Sequence, residues 1–446
     1  MKVLIVAGYY PPRAPAAATR MTKLSPFLLA RGHDVRVLTQ GGLPFPEVLS
    51  PEIPVEKIVY TKTFDVRTIP AIIMTTPSRL FRRKNVEYSE AASTAPVHAN
   101  GPTSKPASRL KIYIKKSLRP LSNLYVNLFC WPDSHIGWLP WGVREGSKLI
   151  EDWKPDIIYS SAPPHTSSIL ARRLSRLSAV PWVCELRDLW VDHPYYDEPA
   201  WRLWLENIHQ RRVFRDAAAL VTVTAPWARL LKEKHGKPTL LSMNGFDPKD
   251  FPEEPPIPQN TRPELIIRYL GILYREKRDP TPLFKAITLL GDAAKNIRVQ
   301  FFGPDLTFVE ELRSSFNLGM VVETHESVPY DQSIDLQRRA DVLLLLRWDN
   351  PGESSVIAGK FFEYLGSRRP ILSVGSTDGV VADIIREREA GLVSRSPEEI
   401  AKKLIEWLRV KAERGALPPL PPTARQGFSR TDQFEKLEEF LLDQLG

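Results

Sequence analysis

Short apolar runs alternate with helix-length segments along almost the whole chain. The first half carries such runs at 3–7, 34–39, 156–161, 182–185, 220–224 and 240–243. The second half carries them at 265–270, 299–303, 341–347 and 371–374, with a shorter one at 321–323. Continuous apolar runs are typical of parallel strands that helices cover on both faces. The pattern therefore predicts an α/β fold with two doubly wound parallel sheets, one in each half of the chain.

A proline-rich stretch separates the two sets of strands. Four prolines fall within 249–262, where neither a helical nor a strand period is present, so this stretch is predicted to be a stiff, extended linker. We place a first domain at 1–248 and a second domain at 263–428. A C-terminal helix is expected at 429–446, because apolar residues recur there with helical spacing at Phe434, Leu437, Phe440, Leu441 and Leu445.

A basic insertion of about residues 79–130 interrupts the first domain. Ten of its residues are Lys or Arg and only Glu87 and Glu90 oppose them, so this segment carries +8 of the chain's net charge of +9. Residues 89–108, rich in Ala, Ser, Thr and Pro, are predicted to be disordered. From Leu110 to Leu128 apolar positions follow a helical period with lysines between them, which is typical of a membrane-surface helix. A core helix with a basic outer face is the alternative, and nucleic-acid binding is less favoured because aromatic residues are not interleaved with the charges.

The composition is that of an ordinary globular protein. The chain has 446 residues, 43% of them hydrophobic and 25% charged, which is enough for two or three domains. No run of 18 apolar residues predicts a transmembrane helix, and the N-terminal strand pattern is too short for a signal peptide. The two cysteines, Cys130 and Cys184, have no metal-ligand or disulfide spacing. We therefore expect a cytoplasmic protein.

The most informative stretch lies at 352–374, where a loop of small residues opens a short helix that carries Lys360 and Glu363. Their spacing of three places both side chains on one face of the helix, near its N-terminus. A helix N-terminus attracts phosphate, and a lysine there can contact it. A carboxylate would be repelled by phosphate and suits the hydroxyls of a ribose. The pair predicts a nucleotide-sugar site, and a weak surface ion pair is the alternative.

Several separate motifs together resemble one known family. They are Tyr-Tyr-Pro-Pro at 9–12, Arg-Gly-His-Asp-Val at 31–35, Asn-Gly-Phe-Asp at 244–247, Tyr-Leu-Gly at 269–271, Gly-Lys-Phe-Phe-Glu-Tyr-Leu at 359–365 and Arg-Pro-Ile at 369–371. In this order the chain resembles the retaining glycosyltransferases of family 4, in particular their polysaccharide-building branch. The resemblance implies the GT-B fold, with two facing Rossmann-like domains and an active-site cleft between them. It assigns the acceptor to the first domain and the nucleotide sugar to the second.

The resemblance also implies roles for residues of the second domain. Arg278 matches the family's phosphate-binding lysine, Lys360 is expected at the same diphosphate, and Arg275, Gly271 and Gly359 are expected beside it. Ile272 stands where the family often has another arginine, so the cations must be arranged differently here. Glu363 matches the glutamate expected on the ribose. Because Ser355 replaces the family's first glutamate, Glu353 is expected to serve the donor sugar, and Val328 is included among the donor-nucleotide contacts.

In the first domain the resemblance implies a loop of residues 9–18 beneath the diphosphate. Ala16 and Ala17 replace the family's pair of glycines there, and Arg20 is expected either at the phosphate or at a surface carboxylate. His165 is an inexact match to a histidine that meets the donor sugar, and a helix-capping or acceptor role is equally open to it. Arg187 and Asp188 are acceptor candidates at a predicted strand end, with a structural network as the alternative.

The function implied is transfer of a sugar, with retention of configuration, from a nucleoside-diphosphate sugar to a glycan or lipid-linked acceptor in cell-surface polysaccharide biosynthesis. Neither a metal nor another cofactor is expected. The basic insertion would attach the protein peripherally to an anionic membrane surface. Two alternatives stay open, namely a nucleotide-sugar 2-epimerase of the same fold and a non-catalytic scaffold at the membrane.

Overall fold

The computed structural model describes residues 1–13, 15, 18–47, 49–68, 125, 128–196, 198–252 and 264–446. The chain forms two compact units. The first consists of Met1–Val223, Trp227–Ser242 and Lys436–Gly446, and the second of Thr224–Pro226 and Met243–Glu435. Most of the predicted basic insertion, including nearly all of the helix expected from Leu110 to Leu128, and most of the predicted linker lie outside the described residues.

The first unit is built on a seven-stranded parallel sheet in the order β3-β2-β1-β4-β5-β6-β7. Its strands are β1 (Lys2–Ala7), β2 (Asp34–Gln40), β3 (Ile58–Thr61), β4 (Ile157–Ala162), β5 (Trp182–Leu186), β6 (Ala219–Thr222) and β7 (Thr239–Leu241). Its connecting helices are α1 (Thr19–Ala30), α2 (Leu139–Trp153), α3 (Thr166–Ser178), α4 (Ala200–Arg215) and α5 (Ala225–His235).

The second unit is built on a six-stranded parallel sheet in the order β10-β9-β8-β11-β12-β13. Its strands are β8 (Leu265–Leu270), β9 (Ile297–Phe302), β10 (Val322–His325), β11 (Val342–Leu346), β12 (Ile371–Val374) and β13 (Gly391–Ser394). Its helices are α6 (Thr281–Leu289), α7 (Thr307–Ser315), α8 (Tyr330–Arg338), α9 (Gly359–Ser367), α10 (Val380–Glu387) and α11 (Pro397–Arg414).

The strands predicted from the apolar runs are confirmed. Such runs indicate strands because a parallel strand that helices cover on both faces has to be apolar at consecutive positions. Two strands, β3 and β13, were not predicted from the sequence. Both are four residues long and lie at a sheet edge, and in each the middle residues are partly exposed. The C-terminal helix is confirmed as α12 (Arg430–Asp443).

Each sheet has a central strand from which the chain order runs in both directions. In the second unit β8 lies between β9 and β11, so a crevice is expected where the carboxyl ends of β8 and β11 diverge. Gly271 and Arg347 are the first residues after these two strands. Ligands of such sheets gather at this position, so the residues around it are candidates for a binding site. Among the described residues, no helix combines the length and the apolar character needed to cross a bilayer.

Candidate active site

A pocket opens in the second unit where β11 ends and α9 begins. It is lined by Arg278, Leu345, Leu346, Arg347, Glu353, Val356, Ala358, Lys360, Phe361 and Val381. Three of these side chains are cations and one is a carboxylate, while the remaining lining is apolar. The pocket therefore has a net positive charge and is suited to an anion with more than one negative charge.

Lys360 is fixed at the carboxyl end of β8. It is the second residue of α9, which follows the extended residue Ala358. Its Nζ donates a hydrogen bond of 3.0 Å to the carbonyl oxygen of Leu270 and lies 4.2 Å from the ring centroid of Tyr269. The ammonium group thus spans from the first turn of the helix to the end of the strand. The N-terminus of α9 adds to the positive potential through the dipole of the helix.

Arg278 and Glu353 form an ion pair at the pocket. The Nη1 of Arg278 donates to the Oε1 of Glu353 at 2.8 Å, and the two side chains are 18% and 5% exposed. Among the described residues, the second carboxylate oxygen of Glu353 is buried without a hydrogen-bond partner. Burial raises the pKa of Glu353 to about 7, whereas the adjacent guanidinium favours the carboxylate form. Glu353 therefore has an oxygen available to a ligand hydroxyl.

Arg347 is a third cation of the pocket, and it was not predicted from the sequence. Its Nη1 and Nη2 donate to the carbonyl oxygens of Ser376 and Asp378, both at 3.0 Å, and the residue is 5% exposed. Burial and the neighbouring charge of Arg278 lower the pKa of Arg347 to about 10. No motif marks it, but it is the first polar residue after an apolar strand, at the edge where ligands gather. That position was the available signal.

The other candidates of the second unit do not line this pocket. Glu363, on α9, accepts a hydrogen bond of 2.9 Å from Gln337. The guanidinium of Arg275 pairs with Glu311 and is 64% exposed. Gly271, the first residue after β8, lies beside the Nζ of Lys360, and Gly359 directly precedes Lys360 on α9. Val328 packs against the apolar core of the unit.

Arg20 lies in a buried ion pair of the first unit. Its Nε donates to Glu185 at 2.6 Å, and its Nη2 donates to the side chain of Ser242 at 2.7 Å. The second oxygen of Glu185 accepts a bond of 2.6 Å from the hydroxyl of Ser161. Arg20 is 5% and Glu185 0% exposed. Arg20 therefore connects α1 to β5 and to the end of β7, whereas Ala16 and Ala17 lie outside the described residues.

His165, Arg187 and Asp188 lie near the carboxyl ends of β4 and β5. His165 precedes α3 and stacks on Trp190 with 5.0 Å between ring centroids, and burial lowers its pKa to about 4. Among the described residues, the Nδ1 of this neutral imidazole has no hydrogen-bond partner. Arg187 donates to the carbonyl oxygen of Pro163 at 2.9 Å, and Asp188 lies 3.6 Å from the Nε2 of His193.

A network around His135 lies at the same sheet edge and was not predicted. Gln40 donates through Nε2 to the carbonyl of Gly8 at 3.0 Å, so its Oε1 faces the Nδ1 of His135 at 3.1 Å. The Nδ1 therefore donates, and the Nε2 of a neutral ring accepts from the hydroxyl of Tyr9 at 3.0 Å. Burial lowers the pKa of His135, which favours this neutral form.

The described residues hold no group of three or more His, Cys, Asp or Glu side chains arranged to bind a metal ion.

Comparison with known proteins identifies the class. Residues 120–243 match the family described as Glycosyl transferase 4-like domain. No curated protein sequence matches the chain. The match at 120–243 confirms the resemblance to glycosyltransferase family 4 and the predicted enzyme class, a glycosyltransferase.

Solved structures agree on the fold over essentially the full length. A glycosyltransferase from Rickettsia africae is 13% identical with a TM-score of 0.60, covering 100% of this chain and 98% of its own. Sucrose-phosphate synthase from Thermosynechococcus elongatus is 15% identical with a TM-score of 0.58, and the match covers 99% of this chain and 98% of that protein. HepE from Anabaena, solved with UDP, is 11% identical with a TM-score of 0.59, and the match covers 99% of this chain and 100% of that protein. The predicted GT-B type of fold, with two parallel-sheet α/β domains, is confirmed.

Proposed function

We propose that the protein transfers a sugar, with retention of anomeric configuration, from a nucleoside-diphosphate sugar to a glycan or lipid-linked acceptor. The observation that carries this proposal is the pocket of the second unit, which Arg278, Arg347 and Lys360 line together with a single carboxylate, that of Glu353. A diphosphate has two negative charges and matches this excess of cations. We assign the pocket to the donor diphosphate, and Glu363 to the ribose.

The three cations suit the charge that develops in this reaction. When the bond between the sugar and the diphosphate breaks, both bonding electrons stay with the phosphate oxygen. Cations already held in place stabilise that oxygen without reorganisation, which is the largest effect available to such an enzyme. Arg347 is held by two carbonyl groups and Lys360 by one, so both are preorganised. We propose that these groups suffice without a metal ion.

Retention is proposed to follow from attack on the same face that the diphosphate leaves. The acceptor hydroxyl forms the new bond to the anomeric carbon, and its proton passes to the departing phosphate oxygen. No protein carboxylate has to act as a nucleophile in this scheme. In the lining of the pocket, Glu353 is the one carboxylate, and its Oε1 is already bonded to Arg278. We assign its other oxygen to a hydroxyl of the donor sugar.

The donor to test first is a UDP-sugar, because HepE, of the same fold, was solved with UDP and with UDP-glucose. For the acceptor we propose the carboxyl edge of the sheet in the first unit, where His165, Arg187 and Asp188 lie. We propose that the protein acts in the cytoplasm, attached peripherally to an anionic membrane, in the synthesis of a cell-surface polysaccharide.

Product analysis tests the reaction itself. The protein is incubated with a panel of nucleotide sugars and a membrane lipid extract, with and without EDTA, and the linkage formed is examined by NMR. We expect a glycosylated product with the anomeric configuration of the donor. The Lys360→Ala variant should be inactive, whereas Lys402→Ala, on the exposed side of α11, should keep full activity. Conversion of the nucleotide sugar without acceptor would instead indicate an epimerase, and binding without turnover a scaffold.

A further inference from the structure

Helix α4 buries polar residues and exposes tryptophans, which is the reverse of the usual arrangement. Its buried face includes Arg202, Glu206 and Gln210, whereas Trp201 and Trp204 on the other side are 44% and 64% exposed. Burying charged residues while leaving indoles in water opposes the usual partition of side chains. An outward face of this kind is expected where that face meets an apolar surface.

The buried polar groups of α4 are well satisfied, so this arrangement is specific. Arg202 donates to Glu206 at 2.7 Å, and Glu206 also accepts a bond of 2.9 Å from the indole of Trp190. Gln210 accepts from the backbone amide of Val191 at 3.1 Å. These bonds fix the rotation of the helix about its own axis. The outward position of the two exposed tryptophans is therefore set by the fold.

The outward stripe continues from apolar to basic along the helix. Trp201, Trp204, Ile208, Arg211 and Arg215 follow spacings of three and four residues, so they share one side of α4. The stripe extends over about 21 Å at a rise of about 1.5 Å per residue. Arg212 is exposed beside it, and the side chain of Arg215 is 74% exposed.

A second exposed apolar segment lies beside the start of α4. Leu128 and Phe129 are 52% and 58% exposed and directly precede Cys130. The carbonyl oxygen of Cys130 accepts a bond of 3.2 Å from Arg202, which holds this segment at the helix. The exposed residues of α4, together with Leu128 and Phe129, are called the α4 surface below.

We infer that the α4 surface docks on the interface of an anionic lipid bilayer, with the tryptophans at the level of the headgroups and the three arginines on lipid phosphates. Tryptophan prefers the boundary between water and hydrocarbon, and arginine pairs with phosphate. The single carboxylate of α4, that of Glu206, is buried, so no acidic side chain of the helix opposes an anionic surface. This charge pattern favours lipid phosphates over a protein partner, whose surface would carry both signs.

The location of the α4 surface suits a lipid-linked acceptor. Helix α4 follows β5 and so starts near the carboxyl edge of the sheet, and Glu206 links it through Trp190 to His165. A bilayer on the α4 surface would therefore lie near the proposed acceptor residues. The inference deepens the proposed function by naming the membrane-contacting surface. Its test measures vesicle binding without donor or acceptor, so it can fail independently of glycosyl transfer.

Vesicle co-sedimentation of the full chain tests the inference. Vesicles of phosphatidylcholine, with or without phosphatidylglycerol, are mixed with the wild type, with Trp201→Ser/Trp204→Ser, and with Arg211→Gln/Arg212→Gln/Arg215→Gln. Against anionic vesicles the tryptophan variant should lose about tenfold in partition coefficient. The arginine variant should lose about 100-fold against the same vesicles and little against neutral ones.

Matched controls come from exposed residues of the second unit. Leu289→Ser/Ile405→Ser removes two exposed apolar side chains, and Arg339→Gln/Arg386→Gln/Arg409→Gln removes three exposed charges. Neither should change binding by more than about twofold. Tryptophan fluorescence should be quenched by brominated lipid in the wild type and less in the tryptophan variant.

Three results would overturn the inference. They are absent binding of the wild type to anionic vesicles, unchanged binding or quenching in the tryptophan variant, and equal losses in the controls. A change in sedimentation velocity between wild type and tryptophan variant, without vesicles, would assign the α4 surface to self-association instead.

Discussion

The ammonium group of Lys360 lies against the backbone of Gly271, at a position where any side chain would collide with it. A Cβ built on Gly271 would come 2.8 Å from the Nζ of Lys360. Gly271 also has a φ of +126°, a conformation that residues with a side chain rarely adopt. The glycine that ends β8 therefore both allows the turn and leaves room for the cation of the pocket.

Replacing this glycine should displace the cation. We expect Gly271→Ala to weaken UDP binding by about tenfold, since the methyl group pushes Lys360 from its place. Gly291→Ala is the matched control, because Gly291 also has a positive φ, +54°, but open space around its Cβ position. Isothermal titration calorimetry with UDP distinguishes the two. Equal loss of affinity in both variants would attribute the effect to the backbone alone.

Arg347 should prove to be part of the diphosphate site. The Arg347→Met variant is expected to bind UDP about 10- to 100-fold more weakly, as for a lost charge-assisted hydrogen bond. It should also lower the free energy of unfolding by about 1–3 kcal/mol, because two carbonyl groups lose their donor and that of Ser376 is buried. Arg409→Met, on the exposed side of α11, serves as the control. Reduced stability with unchanged UDP affinity would leave Arg347 a purely structural residue.

Donor binding should strengthen as the pH falls. Burial raises the pKa of Glu353 to about 7, so between pH 8 and pH 6 this carboxylate gains a proton and stops competing for Arg278. The pocket becomes more positive while a UDP-sugar keeps both charges. We expect roughly tenfold tighter binding. This is about the effect of removing one negative charge that lies about 10 Å from the ligand charge, at an effective dielectric constant of about 20. Titrations with a UDP-sugar across this pH range should show an affinity that changes with pH for the wild type but not for Glu353→Gln. A flat wild-type profile would refute the competition.

The pair of Arg20 and Glu185 should matter for stability. Arg20→Met is expected to lower the free energy of unfolding by about 3–5 kcal/mol, because it leaves the buried carboxylate without its cation. Adding Glu185→Gln should restore a large part of the loss, since the uncompensated charge is then removed. Denaturant unfolding of the single and double variants measures both, with Arg173→Met, exposed on α3, as control. A double variant no more stable than the single one would argue against this explanation.

The fold was largely predictable because parallel sheets impose a simple requirement on sequence. A strand covered on both faces has to be apolar at consecutive positions, and each predicted run proved to be a strand, although the edge strands β7 and β10 are only partly buried. The edge strands β3 and β13 are partly exposed, so they do not need consecutive apolar residues, and the apolar run that would have predicted them is missing.

The site was predictable only where local spacing carries information. Lys360 could be placed because helix periodicity and a helix N-terminus are local properties. The surroundings of Arg20 could not be inferred, because its partner Glu185 lies 165 residues away in the sequence. Arg347 was missed for a related reason, since the carbonyl groups that hold it lie 29 and 31 residues further along the chain.

Calorimetric titration of UDP into wild type and Lys360→Ala is the most direct test of the central claim, that the pocket at the start of α9 binds the donor diphosphate. The wild type should bind, and the variant should lose about 100-fold in affinity or show no measurable heat, as expected for removal of a charge-assisted contact. Lys402→Ala should match the wild type. Binding of UDP by Lys360→Ala with the wild-type Kd, or no binding of any nucleoside diphosphate by the wild type, would contradict the claim.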